Sequence, residues 1–517
     1  MKIGIDVGGT HTDAVLLHQD EVVSSIKALT SVDVTSGIIE ALEYLLTDSG
    51  VSESDIEAVM LGTTQFTNAV VERRQLSEVA AIRVGLPSGD GLTPMTGWPD
   101  DIAGALGGHV YMLRGGTLYD GRPLAQLEQD QVDRVIKDIR ARKIDSVAIS
   151  AAFSPMTPDP ELAIARQLRN VIPGIHITCS HNIGRLGLLE RENAALLNAA
   201  LLKFADKVVT AFAGALRERG LSCPFYVSQN DGTLMDAEFV RQFPALTFAS
   251  GPTNSLRGAC RLTGLEDAIV IDIGGTTSDI GVLQGGFPRE SNIVIEVGGV
   301  RTNFRMPDIL ALGLGGGSLV SDDGARIGPR SVGHNLVSEG LAFGGSTLTA
   351  TDLLVASGKA SVGQVPVKHL AKAVVETGLK TIQEMLNLGI EKMMPSSDPL
   401  PVVLVGGGAI LVSEELAAAS KMYCPEHAGV ANAIGAAIAQ IGGEVERLVN
   451  YRDLPREMAL EQVSREAVSR AVGAGADAST VRIADIEETT ISYMAEGSTR
   501  LRVKAVGDVA SPAQRVG

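Results

Sequence analysis

The feature that most restricts the fold of this chain is a short segment that occurs twice. Residues 5–17 read IDVGGTHTDAVLL, and residues 271–283 read IDIGGTTSDIGVL. In each copy an apolar run containing an aspartate turns through two glycines and a threonine and continues into a second apolar run, which begins beside another aspartate. Apolar runs on either side of a Gly-rich turn are typical of paired strands. The repeat therefore predicts two related halves, each built around the same strand–turn–strand unit.

The repeated turn has the chemistry of an anion-binding site. Glycine has no Cβ atom, so a Gly-Gly turn can curl tightly and direct successive backbone N–H groups outward, where they form a concave site for an anion. Threonine hydroxyls add donors, and an aspartate at the strand end can hold Mg²⁺, usually through water. Two such turns that face each other would grip a polyphosphate from both sides. The residues concerned are Asp6, Gly8, Gly9, Thr10, His11 and Thr12 in the first copy, and Asp272, Gly274, Gly275, Thr276 and Thr277 in the second.

Two questions about this element stay open at the level of sequence. Either copy alone could be a tight structural hairpin without a ligand. That interpretation is weaker for two copies with the same flanking pairs, Asp6 with Asp13 and Asp272 with Asp279. His11 either donates a hydrogen bond to a phosphate or faces solvent.

A third glycine turn follows another apolar strand. The segment VVLVGGGAI places Gly406, Gly407 and Gly408 between a buried strand and a following helix, where backbone can pack against an adenine or a ribose. The chain has no Gly-x-x-x-x-Gly-Lys-[Ser/Thr] motif, and no Gly-x-Gly-x-x-Gly follows its first strand. Phosphate binding would therefore use an architecture other than the P-loop or the Rossmann fold.

These three motifs, in this order, resemble those of the actin–Hsp70–sugar kinase superfamily. Within it, the chain is similar to the ATP-binding A subunit of the hydantoinase/oxoprolinase family, and the resemblance covers residues 3 to about 440. Four further segments carry it: GTTQFTNAVVER at 62–73, ALGLGGGSLVSDDGARIGPRSVG at 311–333, TLTATDLLVASG at 347–358 and CPEHAGVANAIGAAIA at 424–439.

The resemblance implies an α/β fold of two ribonuclease H-like lobes with a nucleotide cleft between them. It implies that ATP and Mg²⁺ bind there, with Asp6 and Asp272 as the catalytic and metal-organising residues. It also adds Gly315, Gly316 and Gly317 to the residues expected to contact nucleotide. The expected domains are residues 1–185 with the first phosphate loop, 186–443 with the second loop and the adenosine motif, and a short C-terminal extension, 444–517.

The activity that the resemblance implies is ATP-dependent opening of a cyclic amide such as a hydantoin, a lactam or oxoproline. The amide oxygen would be phosphorylated, and a B-type partner subunit would take part in the hydrolysis. Family members usually carry a larger C-terminal domain, and this difference leaves the substrate open. Two alternatives remain: a small-molecule kinase of the same superfamily, and a nucleotide-dependent activator of another protein.

Composition limits the partners and the setting. The formal net charge of −17 does not attract nucleic acid or an anionic membrane surface. The chain starts without a basic, apolar leader and has no uncharged apolar stretch of about 20 residues, so neither secretion nor membrane insertion is expected. The four cysteines form no Cys-x-x-Cys pair, which favours a reduced, cytoplasmic setting. Homo-oligomers are left open.

Several other polar segments favour structural roles. His176, Cys179 and His181 do not converge on one strand face, so a metal site is not expected there. LERENAA at 189–195 is interpreted as a solvated helix face, and CPEHAG at 424–429 as a buried thiol with a turn histidine. A last set either caps a helix or contacts the cleft, and the sequence does not decide between these roles: Thr63, Thr64, Thr67 and Asn68.

Overall fold

A computed structural model of the chain describes residues 1–8, 11–19, 21–29, 34–119, 121–291, 295–367, 370–491 and 498–510. Two residues of the first predicted phosphate loop, Gly9 and Thr10, lie outside the described residues. The remaining residues of that loop and the whole of its second copy are described.

Strands and helices alternate through the first half of the chain, as the sequence predicts. The elements are β1 (Lys2–Val7), β2 (His11–His18), β3 (Glu21–Leu29), α1 (Val34–Ser49), β4 (Ala58–Thr63), α2 (Gln65–Val71), β5 (Val79–Leu86), α3 (Asp100–Ala105), β6 (His109–Arg114), α4 (Gln129–Arg142), β7 (Ser146–Ala151), α5 (Asp159–Val171), β8 (His176–Cys179), α6 (Leu188–Glu218), β9 (Phe225–Ser228), β10 (Thr233–Asp236), α7 (Ala237–Gln242) and α8 (Ser250–Thr263).

The second half contains shorter strands and ends in a long antiparallel hairpin. Its elements are β11 (Ala268–Ile273), β12 (Ser278–Gln284), β13 (Phe287–Pro288), β14 (Ile295–Val297), β15 (Val300–Thr302), β16 (Ile309–Leu312), β17 (Ser318–Val320), β18 (Ile327–Ser331), α9 (Leu336–Glu339), α10 (Ala350–Ser357), α11 (Lys372–Met393), β19 (Val402–Val405), β20 (Met422–Tyr423), α12 (Ala431–Ala437), β21 (Gln440–Asn450), α13 (Arg456–Gly473), β22 (Arg482–Thr490) and β23 (Ser498–Gly507).

Two sheets repeat one arrangement of strands. In the first, β3, β2 and β1 are antiparallel neighbours, and β4 and β9 continue the sheet parallel to β1. In the second, β16, β12 and β11 are antiparallel neighbours, and β19 and β20 continue parallel to β11. This repetition confirms the predicted pair of related α/β lobes, each beginning with the strand–turn–strand unit.

The first sheet is longer than the second because the C-terminal segment joins it. Strands β10, β21, β23 and β22 extend it beyond β9, and α13 packs on this extension through an alanine-rich face. The sheet therefore takes strands from all three expected segments, 1–185, 186–443 and 444–517. Helix α12 ends at Ala437, and the chain from Gln440 enters β21. The domain division itself stays a prediction.

Two helices of small residues lie between the lobes. Helices α8 and α12 cross so closely that a Cβ atom on Gly258 would lie 1.9 Å from the carbonyl oxygen of Ala431. A Cβ on Gly435 would lie 1.8 Å from the carbonyl oxygen of Asn254. A Cβ on Gly4 of β1 would lie 2.1 Å from the carbonyl oxygen of Ala433. Only glycine fits these contacts, which hold β1 and α8 directly against α12.

One predicted surface is wrong. The LERENAA segment lies in α6, and its Arg191 and Glu192 are buried rather than solvated. Arg83 of the parallel sheet β6–β5–β7–β8 donates from Nε to Glu192 at 2.8 Å, and the Ser150 hydroxyl donates to the same carboxylate. The charges at 191 and 192 are therefore part of a buried network that joins this sheet to α6.

Candidate functional site

The two copies of the repeated segment fold into hairpins with the same register. Asp6 lies opposite Asp13 in the first, and Asp272 lies opposite Asp279 in the second. The turns close with equivalent hydrogen bonds. The Gly8 N–H donates to the His11 carbonyl at 3.0 Å, and the Gly274 N–H donates to the Thr277 carbonyl at 2.9 Å. The repeat in sequence is therefore a repeat of backbone geometry.

Asp6 occupies a nearly closed pocket at the end of β1. Its Oδ2 accepts a hydrogen bond of 2.9 Å from the Asn432 amide, while its Oδ1 has no hydrogen-bond partner among the described residues. The amide of Asn254, which is completely buried, lies beside Asp6 and lowers its pKa, although it makes no hydrogen bond of good geometry to a described residue. Gly62 borders both side chains, because a Cβ at that position would lie 2.1 Å from Asp6 Oδ1 and 2.6 Å from Asn254 Nδ2. Burial, followed by the charges of Asp13 and Asp272, raises the pKa of Asp6 to about 7.

Asp272 has a related environment in the second lobe. The Ser255 hydroxyl of α8 donates to its carboxylate, and burial raises its pKa. Gly406 approaches the same carboxylate: a Cβ there would lie 2.2 Å from Asp272 Oδ1, and its φ of +84° is one that side chains rarely adopt. Because the charge of Asp272 contributes to the raised pKa of Asp6, the two predicted catalytic aspartates share one electrostatic environment.

These carboxylates fit a hydrated divalent cation. The structure contains no ion pair between Asp6, Asp272 or Asp279 and a cationic side chain within the described ranges. Oxygen ligands with unfilled hydrogen-bonding capacity are suited to Mg²⁺, which keeps several waters and takes few carboxylates directly. Asp6 and Asp272 are the residues that could hold the ion, and Asn254 could contact its water.

The second turn is braced by the glycine segment at 315–317. The Gly316 N–H donates to the Gly274 carbonyl at 3.0 Å, and the Gly317 N–H donates to the Gly275 carbonyl at 2.7 Å. A Cβ on Gly315 would lie 2.6 Å from the Thr276 nitrogen, so backbone packs on backbone here. The segment thus lies at the predicted loop, where its visible role is to support the turn, and its contact with nucleotide stays a prediction.

The outer side of the second turn is available to an anion. The N–H groups of Gly275, Thr276 and Thr277 have no hydrogen-bond partner in the described part of the chain, and both threonine side chains are exposed. Thr12 of the first hairpin differs, because it is 1% exposed. His11 is partly buried, and its pKa is lowered by burial and by the charge of Lys27, which favours the neutral ring.

The third glycine turn lies next to the second hairpin. The Gly408 N–H donates to the Ile273 carbonyl at 2.7 Å, and the Gly406 N–H donates to the Ala428 carbonyl at 2.9 Å. The parallel strands β11 and β19 end at the same edge of their sheet, which is why this turn and Asp272 meet. The predicted nucleotide residues of the second lobe, 272–277, 315–317 and 406–408, are thus brought together.

The segment at 62–73 both starts a helix and lies at the first hairpin. The Thr63 hydroxyl accepts a hydrogen bond of 3.2 Å from the Gln65 N–H at the start of α2. The Thr64 hydroxyl donates to the Val7 carbonyl at 3.3 Å. Thr63 thus has the helix-start role, whereas contact of this segment with substrate or phosphate stays a prediction; Asn68 is exposed on α2.

Lys27 is one of the site residues that the sequence analysis missed, together with Asn254, Ser255 and Asn432. Its ammonium donates to both oxygens of Asp13, at 2.6 and 2.7 Å, and to the Gly429 carbonyl at 3.0 Å. Lys27 lies in β3, outside the repeated motif. The pairing of β3 with β2, which brings the two residues together, could not be deduced from motif spacing.

The remaining candidates do not form a second reaction centre. Ligand atoms of Glu161, Cys179 and His181 come within 4.8 Å of one another. Glu161 already accepts hydrogen bonds from the Ser180 hydroxyl at 2.6 Å and from His181 Nδ1 at 2.7 Å. Burial and the Glu161 charge raise the pKa of Cys179 to about 12, which disfavours a thiolate ligand. The prediction of a buried thiol at Cys424 is wrong, because that side chain is exposed; His427 does lie in a turn.

Two related lobes, each beginning with the same aspartate hairpin, define a protein of the actin–Hsp70–sugar kinase fold. Family models agree with this assignment. The hydantoinase/oxoprolinase N-terminal region matches residues 2–172, and the hydantoinase/oxoprolinase model matches residues 191–362. The chain belongs to the hydantoinase/oxoprolinase family.

Named relatives fall into two groups. The chain is 24% identical over 430 residues to the caprolactamase subunit alpha of Pseudomonas jessenii, covering 76% of this chain and 60% of the relative. It is 25% identical over 402 residues to the acetophenone carboxylase gamma subunit of Aromatoleum aromaticum, covering 69% of this chain and 53% of the relative. The matches thus span little more than half the length of these curated relatives.

Solved structures support the fold. The crystal structure of the ATP-dependent caprolactamase from Pseudomonas jessenii superposes with a TM-score of 0.81 at 19% identity, covering 99% of this chain and 88% of that chain. A nucleotide-free acetone carboxylase gives a TM-score of 0.67 at 17% identity, covering 99% and 88% of the two chains. Separately, no described helix has the length and apolar character needed to cross a membrane.

Proposed function

We propose that the chain is the nucleotide-binding subunit of an ATP-dependent enzyme that opens a cyclic amide. The observation that carries the proposal is the pair of aspartate hairpins with equal register and a shared electrostatic environment. Membership of the hydantoinase/oxoprolinase family and similarity to a caprolactamase subunit support the amide as the acceptor.

The γ-phosphoryl group of ATP would be transferred to the amide oxygen of the ring. A ring amide is a poor electrophile, and phosphorylation converts its oxygen into a good leaving group. Water adds to the activated carbon and the C–N bond breaks. After the resulting acyl phosphate is hydrolysed, one ring has been opened, one ATP has become ADP and phosphate, and two waters have been consumed.

Each part of the site has a defined task in the phosphoryl transfer. Such a transfer depends on positioning and on stabilisation of charge rather than on covalent chemistry by the protein. The free N–H groups at 275–277 and the hydroxyls of Thr276 and Thr277 would hold phosphate oxygens. Asp6 and Asp272 would orient Mg²⁺, whose charge would offset that of the transferring group.

A partner subunit is part of the proposal. Relatives carry the names alpha, beta or gamma subunit, and the chain aligns with only part of their length. We therefore expect the isolated chain to hydrolyse ATP slowly, and ring opening to need a second protein.

A ketone carboxylase subunit is the second candidate. Two relatives are named as subunits of acetophenone and acetone carboxylases. Both reaction types begin from a carbonyl-derived oxygen that a phosphoryl group can modify, so the hairpins alone do not distinguish them.

Nucleotide binding is tested first by thermal melting. MgATP that binds only the folded state raises the melting temperature by mass action, and ATP without Mg²⁺ should raise it less. An unchanged melting temperature at millimolar MgATP would contradict the proposal at its first step.

The acceptor is tested by measuring phosphate release and ring-opened product together. Hydantoin, caprolactam and 5-oxoproline are each supplied with MgATP, with and without the protein encoded beside this gene. Equal amounts of phosphate and ring-opened product support the proposal. A stable phosphorylated compound would indicate a kinase, carboxylation of acetone or acetophenone would indicate the second candidate, and ATP hydrolysis that needs only a partner protein would indicate an activator.

A further inference from the structure

We infer that Lys27 is a positioning residue that fastens the first hairpin to the turn before α12 and thereby holds Asp6 in place. The inference rests on the proposed nucleotide site, which it deepens. Lys27 makes these contacts in the absence of nucleotide. The linkage of Lys27 to the turn before α12, termed the latch, can therefore be tested independently of the enzyme activity.

The register of three strands places Lys27 at the site. Asp6 of β1 lies opposite Asp13 of β2, and Asp13 lies opposite Lys27 of β3. Directly opposed residues of antiparallel strands project to the same face of a sheet, with Cβ atoms about 5 Å apart. The three side chains therefore form one row, and its last member is a cation.

Lys27 uses all of its hydrogen-bonding capacity. An ammonium group has three N–H donors, and the described contacts are three: two to Asp13 and one to the Gly429 carbonyl. Asp13 is nearly completely buried, whereas the Lys27 side chain is 32% exposed. Removal of the lysine would leave a buried carboxylate without its counter-ion, which is more costly than losing an exposed pair.

The contact with Gly429 connects this row to the second lobe. Gly429 lies in the turn Ala428–Val430, directly before α12, and Asn432 of that helix donates to Asp6 at 2.9 Å. The same turn accepts the Gly406 N–H through Ala428 at 2.9 Å. Lys27 is therefore joined to Asp6 by a chain of contacts on both sides. On one side it contacts the turn before α12, whose Asn432 contacts Asp6. On the other side it contacts Asp13, which lies opposite Asp6.

This chain of contacts explains why Lys27 should affect catalysis without contacting substrate. If the lysine is lost, the turn before α12 loses its hydrogen bond from the ammonium group. Asn432 then no longer fixes the Asp6 carboxylate. The third glycine turn is loosened at the same time. Misplacement of a catalytic group by about 1 Å can reduce a rate on the order of 100-fold. We expect turnover to suffer more than nucleotide affinity.

The latch is tested by Lys27→Met with Lys359→Met as the matched control. Lys359 is 33% exposed and pairs with Glu414 in the second lobe, so the two changes remove lysines of similar exposure, although Glu414 is exposed and Asp13 is buried. In nucleotide-free protein, amide hydrogen exchange of residues 427–437 should accelerate at least about 10-fold in Lys27→Met, which corresponds to a loss of about 1.4 kcal/mol of local stability. Exchange there should be unchanged in Lys359→Met. Unchanged exchange in both variants would overturn the latch, whatever the activity of the chain.

The catalytic consequence is tested by ATP turnover in the complete enzyme. We expect kcat of Lys27→Met to fall about 10-fold or more, with KM for MgATP changed less than about threefold. Lys27→Arg, which keeps the charge but not the compact ammonium, should recover part of kcat. A change confined to KM would overturn positioning and indicate direct nucleotide binding.

A double variant separates positioning from simple loss of folding stability. Lys27→Met with Asp13→Asn removes the unpaired buried charge and should restore the melting temperature, while kcat stays low because Gly429 is still released. Recovery of both would show that the lysine only balances Asp13, and would overturn the inference. If wild-type protein does not bind MgATP, the proposed function fails, and the exchange experiment still decides the latch.

Discussion

The two hairpins share backbone geometry but differ in the strand that lies beside them. In the first lobe the row across the sheet is Asp6, Asp13 and Lys27. In the second lobe the corresponding row is Asp272, Asp279 and Ala311, because β16 pairs with β12 so that Ala311 lies opposite Asp279. The repeated aspartate pair therefore lies beside the ammonium group of Lys27 in the first lobe and beside the methyl group of Ala311 in the second.

This single difference gives the aspartates of the two hairpins different electrostatic environments. Asp13 is neutralised by the Lys27 ammonium. Asp279 has no such partner in the part of the chain that the structure describes, and burial together with the Asp272 charge raises its pKa to about 7. A motif repeated in sequence therefore need not be a site repeated in function, because the third strand, outside the motif, determines which aspartate carries an unbalanced charge.

The largest effect is expected from the two aspartates that the lobes have in common. Asp6→Asn and Asp272→Asn are nearly isosteric, and each should lower ATP turnover roughly 100-fold or more, because even the partners of metal ligands contribute 10- to 100-fold. Circular dichroism should show an intact fold in both. Equal losses would mean that the lobes contribute symmetrically, and a loss in one variant alone would restrict the metal to that lobe. Turnover at the parent rate in both would contradict their assigned roles.

The placement of the aspartate hairpins and glycine turns was largely predictable from sequence. Asp6, Asp272 and the glycine turns lie in short contiguous motifs, and strand order brings the turns together at sheet edges. Lys27 was not predictable, because its partner Asp13 is 14 residues away across a hairpin whose register contains an irregularity at Leu16/Leu17. The third strand opposite Asp279 comes from residues 309–312, still further from its motif.

The C-terminal segment was harder to place for a different reason. The segment TTISYMAEGSTRLRVKAVG predicts a two-stranded antiparallel piece around EGS; its second half lies in β23, which pairs with β22, whereas residues 492–497 lie outside the described residues. Its docking onto the first sheet depends on pairing between β21 and β10, strands about 200 residues apart in the chain, which local patterns do not encode. The same limit explains Glu192, whose burial is decided by Arg83 on a distant strand.

An intermediate effect is expected from a side chain placed on the second turn. Gly275 has a φ outside the left-handed region, and a Cβ there would meet nothing within 4 Å, so Gly275→Val should fold normally. It should still weaken MgATP binding about 10-fold or more if phosphate approaches this backbone. Gly91 is the matched control, since its Cβ would also meet nothing within 4 Å and it lies in an exposed turn. Gly443 is not a suitable control position, because a Cβ atom there would lie only 2.3 Å from the Ala467 carbonyl oxygen. Equal binding in both variants would make the turn purely structural.

The smallest effect concerns Asp279, the counterpart of Asp13 that has no cation paired with it among the described residues. Because the folded-state pKa of Asp279 is about 7 against an ordinary 3.8, the folded protein binds this proton more tightly than the unfolded chain. The free energy of unfolding, measured without Mg²⁺, should therefore fall as pH rises from about 4 to about 7 and change little above that range. Asp279→Asn removes this contribution, so the variant should lose less stability than wild type across the same range, by an amount on the order of 1–3 kcal/mol. Asp6, with a similar pKa, titrates in the same window, which makes the difference between proteins the quantity to measure.

Ala311→Lys tests the comparison most directly, because it gives the second lobe the cation that the first already has. Ala311 is exposed, so the longer side chain can be accommodated, and its ammonium would lie opposite Asp279 as Lys27 lies opposite Asp13. The added charge should lower the pKa of Asp279 and flatten the loss of stability between pH 4 and 7, as Asp279→Asn does. Ala373→Lys, on the exposed face of α11, adds the same net charge away from the hairpins and should leave the pH dependence unchanged. If Ala311→Lys also leaves the pH dependence of stability unchanged, the residue on the third strand does not control the charge of Asp279. The asymmetry between the lobes then has another cause.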